Sequence, residues 1–471
     1  MTLTKSILLG SAAALAAVTG SHAADLPSRK AAPVAYVKIC DAYGAGFFYI
    51  PGTDTCVKIG GRVRADYSFS AAQSSFTGTP TIDGVTGVRT NTIGVNSNAA
   101  NLYGWEARGR VDLDARTPTA WGTVQTVLAL RLARTTGVLN AEGPGLSASS
   151  ASPTLEAAYI RFAGFTFGAA RDNFAFMPST FYGAGHWGSF ANGAKQLAYT
   201  AVLGGGLSVT VAVQDLTDTT AGGVVAAGFG VPAGTTFAYN NLPQLNGRID
   251  LSQGWGTVSV MGAVAKAVGV NPTATYDTDK TVWAVGAGLK VNLPMLAAGD
   301  VLWLNAAYAD GMTEYTTNWT SFKSSDTRRN VGGFVTNHPS YIYTTDILGN
   351  AKIETLKSWN LAAVFTHYWT PSIRHSFLAT YGQIDGTTSS RALTRGSVGA
   401  FGDATVWNVG TQLAWLPVRN FEIGVEVLYA RVEQDIRRAN LAVGAFCATA
   451  TCVTREKEGN WTGRMRVERT F

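Results

Sequence analysis

The chain alternates. Between Tyr103 and Arg116, the residues Tyr103, Trp105, Ala107, Gly109, Val111, Leu113 and Ala115 carry no charge, whereas Glu106, Arg108, Arg110, Asp112, Asp114 and Arg116 are all charged. Only an extended strand, whose successive side chains point to opposite faces, separates two such sets. The same period recurs at 57–69, where Lys58, Arg62, Arg64 and Asp66 oppose Val57, Ile59, Val63, Ala65 and Tyr67, and again at 207–213, 245–251 and 421–429. Followed along the chain, the pattern predicts sixteen strands: 57–69, 102–116, 121–133, 154–163, 165–171, 195–203, 206–214, 244–253, 256–266, 281–293, 300–309, 357–368, 373–383, 405–415, 421–432 and 460–471.

The connections alternate as well. Short ones such as Gly164, Gly204 to Gly206, Gly254-Trp255 and Trp369 to Ser372 take turns with long ones rich in Gly, Ser, Thr and Asn, at about 70–101, 134–153, 172–194, 215–243, 267–280, 310–356, 384–404 and 433–459. Every strand pair therefore has one tight end and one looped end. Transmembrane barrels have this arrangement, with an even number of strands, short periplasmic turns and long extracellular loops. The expected fold is all-β, a 16-stranded antiparallel transmembrane barrel.

Composition supports that reading. Charged residues make up 14% of the 471 residues, against roughly 25% in a soluble domain. Beyond the N-terminus no run approaches the ~18 apolar residues of a membrane helix, which excludes a helical transporter. The 12 Trp, 17 Tyr and 21 Phe exclude a disordered chain. Aromatics gather at strand ends (Trp105, Trp121, Trp255, Tyr368, Trp369, Trp415, Tyr429 and Trp461), where interfacial girdles sit.

Residues 1–23 read as a cleaved secretory signal peptide, with Lys5, an apolar stretch from Ile7 to Val18 and a small-x-small site at Ser21-His22-Ala23. The expected organisation is then a periplasmic segment at 24–56 and the barrel at 57–471. Removing 23 of 471 residues leaves 448, or 448/16 = 28 per strand with its connection. Barrels of about sixteen strands enclose an aqueous channel. Export also places the four cysteines in an oxidising compartment.

The sequence resembles the alphaproteobacterial outer-membrane porin family. The resemblance is carried by Cys40-Asp-Ala-Tyr-Gly-Ala-Gly-Phe-Phe-Tyr-Ile-Pro-Gly-Thr-Asp-Thr-Cys56, by the following Val57-Lys-Ile-Gly-Gly-Arg-Val-Arg, by Ala163-Gly-Phe-Thr-Phe-Gly-Ala-Ala-Arg-Asp-Asn-Phe and by the terminal Phe471. It implies a homotrimeric general diffusion porin whose third long loop (172–194) folds into the lumen as a constriction. It also implies that Phe471 is the aromatic read by the barrel-insertion machinery. Constriction loops of such porins are usually acidic; here Arg171 to Ala194 contains a single acid, Asp172.

Among the candidate functional residues, six arginines stand out. Arg62 and Arg64, Arg108 and Arg110, and Arg464 and Arg466 form three Arg-x-Arg pairs on strands that become neighbours when strand 16 closes on strand 1. They are expected to form a basic wall at the constriction opposite Asp172. The plainer alternative is ordinary lumen residues paired with Glu106, Asp112 and Glu468. Twelve bases and nine acids fall on the expected inward faces, so a weak anion preference is expected, decided at the narrowest level because screening removes distant charges.

Four cysteines allow three pairings. Local pairing, Cys40–Cys56 and Cys447–Cys452, is favoured because the pairs would lie on opposite sides of the membrane. The same separation disfavours a four-cysteine zinc site. His186, His338, His367 and His375 show no metal-ligand spacing, there is no G-x-S-x-G elbow, and no basic run exceeds two residues. No metal, cofactor or nucleic-acid partner is expected. The leading function is a passive channel for small hydrophilic solutes and ions across the outer membrane, in contact with its lipid; a barrel enzyme (lipase or protease) and a surface adhesion barrel are the alternatives.

Overall fold

All sixteen strands form and each pairs antiparallel with the next. In this computed structural model the described residues are 38–70, 103–139, 152–183, 193–215, 242–270, 278–316, 340–345, 351–392, 402–437 and 453–471, with short strand fragments between them. The strands are β1 Cys56–Ser70, β2 Tyr103–Thr119, β3 Gly122–Thr135, β4 Ser152–Phe162, β5 Phe165–Ala170, β6 Ala194–Gly204, β7 Leu207–Gln214, β8 Gln244–Gln253, β9 Gly256–Val270, β10 Thr278–Asn292, β11 Val301–Asp310, β12 Lys357–Thr370, β13 Ile373–Asp385, β14 Ala404–Val418, β15 Phe421–Arg437 and β16 Val453–Thr470.

Two boundaries depart clearly from the expectation. β15 runs on to Arg437 and β16 starts at Val453, and the two stay paired over that length, from Phe421↔Arg469 to Arg437↔Val453. Apolar alternation marks only the part of a strand that meets lipid. Backbone pairing continues past it into charged sequence such as Glu433 and Asp435.

The barrel closes between β16 and β1, in a register running from Arg62↔Thr470 to Ser70↔Thr462. Beyond it, Gly61 and Phe471 exchange backbone hydrogen bonds of 3.0 and 3.1 Å, so the terminal residue completes the seam. Closure pairs the first strand with the last, so neither is left as a free edge in lipid. Ile59, Val63, Trp105, Leu132, Val211 and Val425 face outward and are exposed, while Asp66, Asn246 and Gln412 face inward. Two aromatic belts follow. One runs through Trp407, Tyr429 and Trp461, with ring contacts of 5.4 and 4.9 Å, and continues at Tyr67 and Trp105, 4.7 Å apart. The other carries Trp121, Trp255, Trp369 and Trp415 at the tight-turn end.

The largest apolar cluster lies inside the lumen. Phe174, Phe176, Met177 and Phe181 from the third loop pack on Met261, Ala263, Ala284, Ala307 and Val364 of the inner wall. At the periplasmic mouth, the expected Cys40–Cys56 disulfide forms and buries Phe47 beside it. The strand Phe48–Tyr49 adds to the start of β1. Residues 1–37, with the expected signal peptide and the first part of the 24–56 segment, lie outside the described residues, as do Cys447, Cys452 and positions 184–192 of the third loop.

Candidate pore constriction

The third loop leaves β5 at Arg171 and lies along the inner wall from β6 to β16, fastened at three places. At its root, Gln196 Nε2 donates to the Arg171 carbonyl (3.0 Å) and Asn173 Nδ2 donates to Gln196 Oε1 (2.7 Å). Asp172 is buried there, its Oδ1 accepting from Phe174 N at 3.0 Å and from Gln214 and Asn246 at 3.4 Å.

In the middle, Arg248 Nη1 on β8 donates to the carbonyls of Asn173 (3.2 Å) and Ala175 (3.0 Å). The Phe174 ring packs against Tyr315 at 4.4 Å, and Phe176 meets Trp303 edge-on at 5.3 Å. Phe176 lies flat on Gly288, where any Cβ would overlap the ring.

The tip reaches β14 to β16. Gln412 Nε2 donates to Thr180 O (2.7 Å), and the backbone N–H groups of Tyr182 and Gly183 donate to the two Glu426 oxygens at 2.5 and 2.7 Å. Arg464 Nη1 donates to Tyr182 O at 2.8 Å, the Arg466 guanidinium stacks 4.2 Å from the Tyr182 ring, and Tyr182 Oη donates to Glu422. Glu422 also holds Arg374 at 3.0 Å.

The described part of the loop, residues 171–183, thus covers the inner wall from β6 round to β16. The six arginines do form one inward patch, with Arg62 opposite Arg110 and Arg64 opposite Arg108 across β1 and β2. Every one of them also faces a carboxylate. Arg64 Nε is 2.7 Å and Arg62 Nη1 3.9 Å from Glu468; Arg108 is 2.8 Å from Glu106; Arg110 is 2.6 Å from Asp112 and 3.0 Å from Glu156. Arg464 and Arg466 share Asp66 at 3.5 and 2.7 Å and are buried beneath Tyr182. Asp172 sits by Gln214 and Asn246, on the side of the barrel across from the arginines.

One lumen cation escapes strict alternation. A bulge places Leu155 opposite Leu130 and Ala157 opposite Ala129, so Glu156 is the extra residue. Beyond it the phase of β4 flips, and Arg161 comes to lie opposite Gln125 and Thr166 on the lumen side. Elsewhere, His367 Nδ1 lies 2.6 Å from Asp300 and His375 Nε2 is 2.7 Å from Thr411 Oγ1. Among the described residues no three His, Cys, Asp or Glu side chains gather as a metal site.

This geometry agrees with the comparisons to known proteins. The sequence model of the porin subfamily matches residues 25–463. The chain belongs to the porin subfamily. Porin Omp2b of Brucella canis and that of Brucella abortus strain 2308 are each 30% identical to it over 323 residues, covering 66% of this chain and 75% of theirs. Among solved structures, the outer membrane channel DcaP of Acinetobacter baumannii superposes with a TM-score of 0.58 at 17% identity, over 90% of this porin and 99% of that chain, which supports the barrel fold. This porin is an outer-membrane protein that forms a passive, water-filled channel.

Proposed function

We propose that this porin passes small hydrophilic solutes through a one-sided opening between the third loop and the β1–β4 wall, with a weak preference for anions. The supporting observation is the division of the lumen. The described part of the loop lies over the β6–β16 face, while Arg62, Arg64, Arg108, Arg110, Arg131 and Arg161 line the β1–β4 wall. Their carboxylate partners, Glu468, Glu106, Asp112 and Glu156, hold the net field to a small positive excess. Because fixed charges act on ions only within about a Debye length of ~8 Å, this wall outweighs charges elsewhere. Sieving and this field together account for transport, with no turnover and no hydrolysis of lipid or peptide.

The working form is a homotrimer. β5 has six residues, a span of about 20 Å along the strand, and tilted it falls short of the ~25 Å apolar band. A neighbouring copy would cover the exposed shortfall. Phe471 serves as the assembly signal at the seam.

Reversal potential under a KCl gradient tests the selectivity. The wild type is expected on the anion side of zero. Neutralising Arg62, Arg64, Arg108 and Arg110 strands Glu468, Glu106 and Asp112, leaves Glu156 to Arg131, and is expected to move the potential clearly toward cations. A cation-preferring wild type, or an unchanged quadruple variant, overturns the assignment.

A further inference from the structure

Below the root of the third loop, a chamber of about 650 Å³ opens on the periplasmic side of the lumen. Its walls are the inner faces of β3 to β6, the periplasmic turn at Ala163-Gly164, and Tyr43 from the disulfide-closed segment. Three arginines reach it, Arg116, Arg161 and Arg171, and no Asp or Glu lines it.

The three differ in how far they are committed. Arg116 is spoken for: its Nη2 is 2.7 Å from Asp114, and its guanidinium lies 5.5 Å from the Tyr43 ring and 4.9 Å from Phe47. Arg161 has no carboxylate within ion-pair distance among the described residues. Its guanidinium rests 4.7 Å from the Tyr159 ring, and the residue is exposed. Arg171 is exposed too and donates to Met177 O at 2.9 Å. On the rest of the wall, Thr123, Gln125, Asn173 and Gln196 offer neutral donors and acceptors.

We propose that this chamber is a binding site for a small hydroxylated organic anion, a proposal that rests on the channel reading of the lumen. A guanidinium fork matches the two oxygens of a carboxylate, and Arg161 presents one with no protein acid to satisfy it. The hydroxyl and amide wall suits the hydroxyl groups of such a solute, and the ring of Tyr43 supplies a flat apolar face. The volume is in the range of small-molecule sites, about 300–1,000 Å³. A solute that has cleared the constriction would dwell here before release, so its flux would saturate while that of an uncharged polyol would not.

Calorimetric titration of the detergent-purified porin at low salt, with potassium gluconate and with sorbitol as probes, tests the site. Gluconate is expected to give saturable heat and sorbitol none. Arg161→Gln should weaken gluconate binding roughly ten- to a hundredfold, the loss of one charge-assisted hydrogen-bonding partner. Arg161→Lys should fall between, and Arg171→Gln should weaken it in the same direction. Absent gluconate heat, equal heats from both probes, or unchanged binding in the folded, heat-modifiable Arg161→Gln barrel overturns the proposal. A wild type that binds gluconate yet carries no ion current in a planar bilayer would overturn the channel reading and leave the site standing.

Discussion

Arg466 and Asp66 meet across the seam where the last strand closes on the first, joined by two hydrogen bonds of 2.7 Å although 400 residues separate them. Both are buried, and Arg464 adds a second cation 3.5 Å from the same carboxylate. Breaking a buried pair by removing one partner costs about 3–5 kcal/mol. Asp66→Ala is therefore expected to lower the urea midpoint of the folded barrel markedly. Asp66→Leu combined with Arg466→Met is expected to recover much of that loss, and equal midpoints for the single and double variants would speak against the pairing.

Glu426 is the clasp of the third loop. Glu426→Ala leaves the Tyr182 and Gly183 N–H groups without their acceptor, at about 1–3 kcal/mol each. The released tip is expected to swing into the opening, raising open-channel noise and lowering mean conductance in single-channel records. A steady wild-type current from this variant would show that the clasp does not set the aperture.

Gly288 seats the Phe176 ring on the wall and leaves no room for a Cβ. Gly288→Val forces Phe176 off the wall, and overpacking of this kind costs about 1–3 kcal/mol. Thermal unfolding should come at a lower temperature, and adding Phe176→Ala should remove most of the difference.

The Cys40–Cys56 bridge spans sixteen positions, a loop whose closure contributes about 3 kcal/mol of order. Reduction should expose residues 38–56 to protease while leaving the barrel heat-modifiable, because the strand ladder does not depend on it. Peptide mapping of the oxidised protein is expected to find Cys447 joined to Cys452. A Cys40 link to either would contradict the membrane topology.

Deleting Phe471 removes both its backbone bonds to Gly61 and the proposed assembly signal. Barrel yield should fall, with unchanged conductance in the molecules that assemble; normal yield of heat-modifiable protein would refute the signal.

The strands were legible because each carries its own period-two pattern, and lipid outside with water inside enforces it over most of the barrel. The path of the third loop was not, because its fastenings join residues far apart, such as Gly183 to Glu426 at a separation of 243. A signal was present even so. The inward faces of β9 and β10 carry Met261, Ala263, Ala265, Gly286 and Gly288, too apolar and too small for a wall facing water, and an apolar cover was the only way to satisfy them. Arg161 escaped for a different reason: the bulge at Glu156 inverts the parity of everything after it. The six arginines share the inward face, but a pattern read strand by strand does not show which acid each one meets.

Because residues 171–183 of the loop rest on one arc of the interior, folding and permeation draw on different residues. The covered arc is constrained by packing, and nearly every change there is felt by the loop. On the proposed reading, the arc of β1 to β4 holds side chains that answer mainly to what passes. Its charges can be exchanged over generations, or in a laboratory selection, without first re-solving the fold. Relatives that accept different solutes should therefore diverge most along that arc and least where the loop lies.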